Sequence, residues 1–430
     1  MVKVESLRAE RKFKKTEIGE IPVDWKVLRV KDVCEKPEYG YTASAVEKPL
    51  GPKFLRITDI QDGKVIWNNV PYCNCPDNLK ERYIIRSGDI LFARTGATTG
   101  KSYLIKDCPE AVFASYLIRV AVNEQIDSHF LYSLFNSSIY WRQITQQMGG
   151  SAQGGVNASS LANIKIPFPP LSEQKKIADI LSTVDEAIEK NNLVIEKTKE
   201  LKKGLMQELL TRGIGHKKLK KTEIGKIPVD WEVTTLDEIS EEIYRYPTYF
   251  KIEYVAKGVP EVRGELIKLN GAFDLDLSKY RFISPETASQ FPRTCLKEGD
   301  FVLSVRGTMG KVAIVPKSLN GANITANLIR ISPDRQKIFP LFLHQIFISQ
   351  KFQETLNITS SSTTIKTIKA PELKKIKFSV PPLQEQKKIA EILLTVDKIV
   401  ENEITHEKGL EKIRKALMQV LLTGKVRVKN

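Results

Sequence analysis

The sequence predicts an α+β fold in which two globular domains alternate with two long helices. Three observations support this prediction. The chain repeats itself after about half of its 430 residues. Two segments of about 40 residues keep a helical pattern, and the part before each segment is rich in short β-like runs. A chain of this length is too long for one ordinary core and suits several domains.

The duplication is clearest in three short motifs. KKTEIGEIPVDWKV at 14–27 returns as KKTEIGKIPVDWEV at 220–233, with two of fourteen residues changed. PPLSEQKKIADILSTVD at 169–185 returns as PPLQEQKKIAEILLTVD at 381–397, and GLMQELLT at 204–211 returns as ALMQVLLT at 416–423. We name the first pair the Trp motif and the second pair the PPLxEQ motif. The repeated unit is far longer than that of a solenoid protein.

The segments between these motifs, 28–168 and 234–380, match each other only at scattered points. Each contains short runs of β-forming residues separated by turn signals, which predicts a mixed α+β domain with a twisted sheet. We therefore divide the chain into a first domain at 1–170, a helix at 171–213, a second domain at 214–381 and a helix at 382–430. The constant parts suit a shared partner or packing role, and the divergent parts suit two different targets.

Each long helix follows a Pro-Pro pair, and Ser172 is the predicted N-cap of the first. Their apolar residues recur mostly every three, four or seven positions, which is typical of a coiled-coil seam. Two equal units in one chain are usually related by a pseudo-two-fold axis, so we expect the helices to pair antiparallel. The residues predicted to form this pairing, or to dock partner subunits, are Ile177, Leu181, Val184, Ile188, Ile389, Leu393, Val396 and Val400.

Composition favours a polyanionic partner. The formal net charge is +16 and the isoelectric point is about 9.4, which fits nucleic acid or, alternatively, a generic lysine-rich surface. No apolar run approaches the roughly 20 residues that span a bilayer, and the first residues lack the apolar stretch of a secretory signal. We expect a cytoplasmic protein without membrane contact. Its five cysteines are then free thiols, and Cys73 and Cys75 lack the spacing of a zinc site.

The stretch GDILFARTGATTGK at 88–101 is close to a phosphate-binding loop but has the wrong spacing. A P-loop needs four residues between its first glycine and the Gly-Lys pair, whereas only three separate Gly96 from Gly100, and only two separate Gly307 from Gly310 in the second copy at 299–312. Both copies keep a strand, an arginine, a glycine turn and a lysine. Such side chains can contact DNA phosphates or base edges; the alternative is a plain hairpin with solvated charges. The candidate DNA-binding residues here are Arg94, Thr95, Thr98, Lys101, Arg306, Thr308 and Lys311.

A second candidate region is the polar run before each long helix, GGSAQGGVNASS at 149–160 and ITSSSTTIKTIK at 358–369. Amide side chains can pair with adenine edges, and Ser, Thr and Lys can contact phosphates or bases. A flexible surface loop is the alternative. The candidate DNA-binding residues in these runs are Ser151, Gln153, Asn157, Ser361, Thr363 and Lys366.

The order of domain, PPLxEQ helix, domain and PPLxEQ helix, with the GD strands and Trp motifs, resembles the specificity subunit of type I restriction–modification systems over essentially the whole chain. The resemblance implies two target recognition domains that recognise the two halves of a split, asymmetric site in double-stranded DNA. It also implies helices that set the spacer and dock two methyltransferase subunits, with restriction subunits joining in the full complex.

The resemblance further implies a subunit without catalysis of its own. S-adenosylmethionine, ATP and Mg²⁺ would then belong to the partner subunits, and this chain would need no cofactor. The sequence has no Walker A motif and no Asn/Asp-Pro-Pro-Tyr/Phe tetrapeptide of an amino-methyltransferase. Two alternatives remain at this stage: a solitary nuclease or methyltransferase with duplicated recognition domains, and a coiled-coil scaffold that binds only protein.

Several repeated residues have a simpler structural interpretation. Trp25 and Trp231 occur in near-identical motifs, which indicates a joint between each domain and the helices. Glu173 and Glu385 mimic part of a nuclease site but lie at helix starts, so we predict cap or surface positions for them. Arg56 is predicted to form an internal ion pair with Asp59.

Overall fold

A computed structural model describes residues 12–61, 63–149, 155–246, 252–268, 271–360 and 367–428. They form two compact units: the first contains residues up to 193 together with those from 405 onward, and the second contains residues 194–404. Each unit combines sheets, short helices and part of both long helices. The predicted α+β class with two long helices is confirmed. Among the residues described, no helix has both the length and the apolar character needed to cross a membrane.

The first domain is built on a four-stranded sheet in the order β4-β11-β8-β9, beside a parallel pair β5-β10. Strand β3, near the start of the domain, pairs antiparallel with β12, the strand that precedes the first long helix. The strands are β1 (Phe13–Thr16), β2 (Gly19–Pro22), β3 (Lys26–Arg29), β4 (Glu38–Tyr39), β5 (Lys53–Leu55), β6 (Ile60–Gln61), β7 (Lys64–Val65), β8 (Ile90–Ala93), β9 (Ser102–Leu104), β10 (Ala111–Phe113), β11 (Leu117–Val120) and β12 (Lys165–Phe168). The helices are α1 (Val30–Val33), α2 (Asp77–Tyr83), α3 (Ser128–Phe135), α4 (Ser138–Gly149), α5 (Ala158–Ala162) and the long α6 (Leu171–Arg212).

The second domain repeats this plan, but its second sheet, β17-β19-β18-β22, has four strands. The order β16-β23-β20-β21 matches the four-stranded sheet of the first domain, and β15-β24 matches β3-β12. The strands are β13 (Leu219–Thr222), β14 (Gly225–Pro228), β15 (Glu232–Thr235), β16 (Ser240–Arg245), β17 (Tyr254–Val255), β18 (Val259–Val262), β19 (Arg281–Ile283), β20 (Phe301–Ser304), β21 (Val312–Ile314), β22 (Asn323–Ile324), β23 (Leu328–Pro333) and β24 (Lys377–Val380). The helices are α7 (Pro285–Gln290), α8 (Pro340–Ile348), α9 (Gln350–Thr359), α10 (Ala370–Lys374) and the long α11 (Leu383–Leu421).

A buried ion pair explains why the Gly-Asp pair recurs before the central strand. Asp300 accepts a hydrogen bond from Nε of Arg330 at 2.7 Å, and both side chains are buried. In the first domain Asp89 lies 3.9 Å from Arg119, which is also buried. A buried charge is tolerated when it is paired. The aspartate therefore ties the start of β8 or β20 to the neighbouring strand.

Both long helices continue through the glycines that interrupt their pattern, Gly204 and Gly409. The prediction that Ser172 is an N-cap is wrong. Helix α6 begins one residue earlier, at Leu171, and the N–H of Glu173 already bonds to the carbonyl of Pro170 at 2.9 Å. Pro170 lies just before the helix and accepts this bond, and as a proline it has no N–H of its own that would need an acceptor.

Within the first unit the two long helices run antiparallel. Asp185 pairs with Arg414, and Asn191 lies 2.8 Å from Nδ1 of His406. Residue numbers rise along one helix as they fall along the other, which defines the antiparallel direction. Apolar residues of α6 share the core with Met418 and Leu421 of α11 and with Leu422, which follows the helix.

The second unit shows the same arrangement with the roles of the helices exchanged. Lys202 pairs with Asp397 at 2.6 Å, and Leu209 lies in the same core cluster as Ile389. The predicted antiparallel pairing is thus confirmed within each unit. Of the predicted pairing residues, those buried are Ile177, Leu181, Ile389, Leu393 and Val396, and those half-buried are Val184, Ile188 and Val400.

Candidate nucleic-acid interface

The central strand of the first domain, β8, leads directly into an exposed basic loop at 94–101, which we name the first arginine loop. Gly96 and Gly100 hold positive φ angles of 84° and 81°, a conformation that favours glycine. The hydroxyl of Tyr140 on α4 donates to the carbonyl of Gly100 at 2.8 Å, so the base of the loop is anchored to the core. Of the predicted contacts in it, Arg94, Thr95 and Lys101 are exposed and Thr98 is half-buried.

The second arginine loop, residues 306–311, follows β20 and is anchored in an equivalent way. Gly307 and Gly310 have φ angles of 78° and 90°, and the amide of Gln353 on α9 donates to the carbonyl of Gly310 at 2.9 Å. Of the predicted contacts, Arg306 and Thr308 are exposed. Lys311 is half-buried, and its ammonium lies 3.4 Å from the carbonyl of Gly264.

The two candidate regions of each domain meet at the arginine loop. In the first domain the N–H of Val156 donates to the carbonyl of Arg94 at 3.1 Å. In the second, Thr367 forms a backbone bridge with Arg306, and the N–H of Ile368 donates to the carbonyl of Val305 at 3.3 Å. The described part of each polar run therefore lies against the arginine loop of its domain.

Asn157 is the N-cap of the short helix α5, and its side-chain oxygen accepts from the N–H of Ser160 at 2.7 Å. That oxygen is therefore occupied, whereas the amide of this exposed side chain can still donate outward. The other predicted contacts in the polar runs lie outside the described residues: Ser151, Gln153, Ser361, Thr363 and Lys366.

The buried arginines of the sheets pair with aspartates, whereas the exposed cations of the loops have other neighbours. The Arg94 guanidinium lies over the ring of Tyr39, 4.9 Å from its centroid. In the part of the chain that the structure describes, no carboxylate pairs with Arg94, Lys101 or Arg306. Positive charge that is not neutralised internally attracts a polyanion.

Comparison with known proteins identifies the domains that present these loops. Residues 22–197 and 228–413 each match the model of the type I restriction modification DNA specificity domain. Together the two matches cover most of the chain, and each includes one arginine loop. The chain belongs to the type I restriction–modification DNA specificity family. Its two specificity domains account for the duplication seen in the sequence.

Full-length relatives agree with this assignment. The chain is 31% identical over 440 residues to the type I restriction enzyme MjaVIII specificity subunit of Methanocaldococcus jannaschii, covering 100% of this chain and 99% of the relative. It is 34% identical over 439 residues to the MjaX specificity subunit of the same organism, covering 98% of both. A solved chain of a type I R-M system shares the fold, with a TM-score of 0.58 at 19% identity over 94% of this chain and 99% of that chain. The S subunit from M. genitalium gives a TM-score of 0.54 at 14% identity, over 92% and 96%.

The first specificity domain meets the long helices at a buried joint, which we name the first Trp joint. The indole N–H of Trp25 donates to Oε2 of Glu173, at the start of α6, at 3.2 Å. Arg427, beyond the end of α11, bonds both oxygens of Glu173 at 2.6 and 2.7 Å and both oxygens of Asp24 at 2.8 and 2.9 Å. Burial works to raise the pKa of Glu173, but the hydrogen bonds from Arg427 and Trp25 outweigh it and lower the pKa.

The second specificity domain has an equivalent second Trp joint, with a histidine in place of the arginine. Trp231 donates to Oε2 of Glu385 at 3.1 Å, and Nε2 of His216 lies 2.9 and 3.0 Å from the two carboxylate oxygens. Gly213 and Gly424 end the two helices in the left-handed conformation, with φ of 67° and 68°. The tail after each helix thus folds back onto a Trp motif.

The glutamine of each PPLxEQ motif, next to the glutamate of the Trp joint, bonds to backbone groups on both of its sides. Gln174 accepts from the N–H of Asp127 at 3.0 Å and donates to the carbonyl of Pro169 at 2.9 Å. Gln386 accepts from the N–H of Phe339 at 2.7 Å and donates to the carbonyl of Pro381 at 2.8 Å. A buried amide needs both kinds of partner, and here both are satisfied.

These contacts correct one sequence prediction and confirm two. Glu173 and Glu385 are not cap or surface residues, because each carboxylate accepts from the indole of a Trp motif far away in the chain. The predicted structural role of the two tryptophans is confirmed, and so is the ion pair of Arg56 with Asp59, at 2.8 Å. Only the identity of the PPLxEQ motif in both copies signalled that its Glu and Gln had a fixed role. Within the ranges described, no group of three or more His, Cys, Asp or Glu side chains could hold a metal ion.

Proposed function

We propose that this specificity subunit directs a type I restriction–modification complex to a bipartite, asymmetric sequence in double-stranded DNA. Each specificity domain recognises one half of the sequence. The observation that supports this most directly is the pair of divergent domains, each presenting an arginine loop on an anchored turn beside a polar run. Anchored loops of this kind can place cations against phosphates and base edges.

The long helices set the spacer between the two halves and dock two methyltransferase subunits, with restriction subunits joining indirectly. The antiparallel pairing within each unit and the Trp joints support this role, because they hold each specificity domain to both helices. The subunit performs no catalysis and carries no cofactor of its own. S-adenosylmethionine, ATP and Mg²⁺ are bound by its partners, and the complex acts in the cytoplasm.

The test is to co-express the chain with the methyltransferase subunit encoded beside it and to map adenine methylation across the host DNA. One split motif with two specified halves and a constant gap is expected. Replacing residues 234–380 with the corresponding segment of another specificity subunit should then change one half only.

Three other results would contradict the proposal in different ways. Co-purification of the subunits without methylation would leave a docking subunit that does not direct sequence recognition. Methylation or cleavage by the purified chain alone would instead establish an enzyme, and failure to bind either DNA or the methyltransferase would favour a protein scaffold.

A further inference from the structure

The two specificity domains differ at the residue that faces the loop arginine. Strands β11 and β23 share the sequence Leu-Ile-Arg, and each pairs with an antiparallel neighbour. Tyr39 lies opposite Ile118 in the first domain, and Arg245 lies opposite Ile329 in the second. The register therefore makes Tyr39 and Arg245 equivalent positions with different side chains.

In the first domain the aromatic ring of Tyr39 occupies this position and contacts the loop arginine, Arg94. The guanidinium of Arg94 lies over Tyr39, and the hydroxyl of Tyr39 accepts from the N–H of Ala158 at 3.2 Å. A cation over an aromatic face is attracted by the ring. The tyrosine thus holds Arg94 in place and is itself held by the polar run.

In the second domain a second guanidinium takes the place of the ring. Nε of the half-buried Arg245 donates to the carbonyl of Ala326 at 3.0 Å, next to the point where the N–H of Val305 bonds to Asn327. Arg306 is the next residue of the loop. Burial and the neighbouring charge of Arg306 both lower the pKa of Arg245.

Neither guanidinium has an acidic partner among the described residues. Two neighbouring like charges repel each other, and both are stabilised when an anion binds near them. Among the described residues Arg245 donates a hydrogen bond only through its Nε–H, so the outer N–H groups of its guanidinium can still donate. Arginine presents these donors in the planar fork that matches phosphate oxygens.

We propose that Arg245 and Arg306 together bind one phosphate of the DNA backbone in the second specificity domain. This inference rests on the proposed function. A phosphate fits two neighbouring guanidiniums better than a base does, because the two acceptors of a guanine edge are already filled by one arginine. The second half-site is accordingly held through its backbone at this point, whereas the first domain offers a single arginine on an aromatic support.

The test uses the purified complex with its methyltransferase subunit and a duplex carrying the motif found by methylation mapping. Affinity is measured over a series of salt concentrations for wild type, Arg306→Gln, Arg245→Gln and the double variant. Because the phosphate is bound by both guanidiniums together, each single variant should reduce the magnitude of the negative slope of log affinity against log salt by about 0.9, the value for one neutralised phosphate. The double variant should lose little more, since both arginines serve one phosphate. The methylated motif should stay unchanged.

A reciprocal variant and a control sharpen the result. Tyr39→Arg recreates the arginine pair in the first domain and should increase the magnitude of the slope by a similar amount. Lys317→Gln removes an exposed cation from a turn beyond β21 and should leave the slope unchanged. An equal loss of slope in Lys317→Gln would show a general charge effect and overturn the inference.

The remaining outcomes separate this inference from the proposed function. A wild-type slope in Arg306→Gln refutes the phosphate site, and so does relaxation of one base in the second half of the motif, which would indicate a base contact. Wild-type complex without salt-sensitive DNA binding and without a split motif refutes the proposed function itself. If Arg245→Gln does not melt like wild type, the exposed loop variant Arg306→Gln decides the question alone.

Discussion

Replacing Arg427 with alanine should destabilise the first unit, because it removes the partner of Glu173, which lies 254 positions away in sequence. Arg427 is the cation of the first Trp joint, and its removal leaves the carboxylate of Glu173 buried with only the indole of Trp25 as a side-chain donor. The exposed fraction of the Glu173 side chain is 4% and that of Arg427 is 12%. Water therefore cannot readily replace the lost hydrogen bonds.

The magnitude follows from the cost of a buried charge that loses its partner, about 3–5 kcal/mol. The ion pair between Arg427 and Asp24 adds little to the stability, because the exposed fraction of the Asp24 side chain is 44% and exposed pairs contribute little. For a unit of this size the free-energy change corresponds to a fall in Tm of roughly 6–20 °C.

The effect should also depend on pH. The pKa of Glu173 is lowered in the folded protein relative to its ordinary value of 4.5. Its ionised form therefore stabilises the fold at neutral pH, and that stabilisation is lost as the pH falls through the lowered pKa. The difference between wild type and Arg427→Ala should be largest near neutral pH and should shrink in acid.

The assay is thermal and urea unfolding of the full chain, with Arg212→Ala as a control. Arg212 makes an exposed pair with Glu208 on α6, and its loss should leave the Tm unchanged. Adding Glu173→Gln to Arg427→Ala removes the stranded charge and should recover part of the stability. A Tm for Arg427→Ala within 1–2 °C of wild type, on the order of the effect of a surface substitution, would refute this reasoning.

Three further predictions follow from buried groups and from helix geometry. Burial lowers the pKa of His344 from 6.5 to about 4, so the unfolded chain takes up the proton first and the second unit should lose stability from about pH 6.5 to 4; His344→Gln should flatten this profile in urea titrations, and identical profiles would contradict the assignment. Burial raises the pKa of Cys34 to about 12 and that of Cys73 to about 11, so iodoacetamide at pH 8 should label them only in denaturant, as peptide mass spectrometry would show. Gly213→Ala should destabilise the second unit by at least about 1 kcal/mol, because its φ is 67° and the added Cβ would lie 2.7 Å from an indole carbon. Gly204→Ala, inside α6 with no atom within 4 Å of an added Cβ, should stabilise it by about 0.5–1 kcal/mol, and a gain from both variants would contradict the geometry.

Much of the architecture could be predicted because it is carried by local or repeated patterns. The 3.6-residue period of the long helices is set by which side chains must be buried, so it is visible without coordinates. The duplication made their antiparallel pairing the expected arrangement. The absence of the standard P-loop spacing could also be read from the sequence, since glycine spacing is a property of the chain itself.

The partners of the two tryptophans in the Trp joints could not be predicted, because these residues are far apart in sequence. Glu173 lies 148 positions from Trp25 and 254 from Arg427, and no local pattern marks an acidic residue at a helix start as buried rather than exposed. A Glu in the first turn of a helix is ordinarily explained by the helix dipole. Their position at helix starts thus led to the wrong assignment of Glu173 and Glu385.

Periodicity, composition and duplication are properties of the chain, so the repeat, the two long helices, the positive charge and the arginine loop after each central strand could be found without coordinates. Which side chains share a site depends instead on how the chain folds. Strand register made Arg245 the counterpart of Tyr39, and chain folding brought Arg427 and His216 to equivalent carboxylates. Contacts between distant residues depend on packing in three dimensions, where a few ångströms separate an ion pair from two solvated charges.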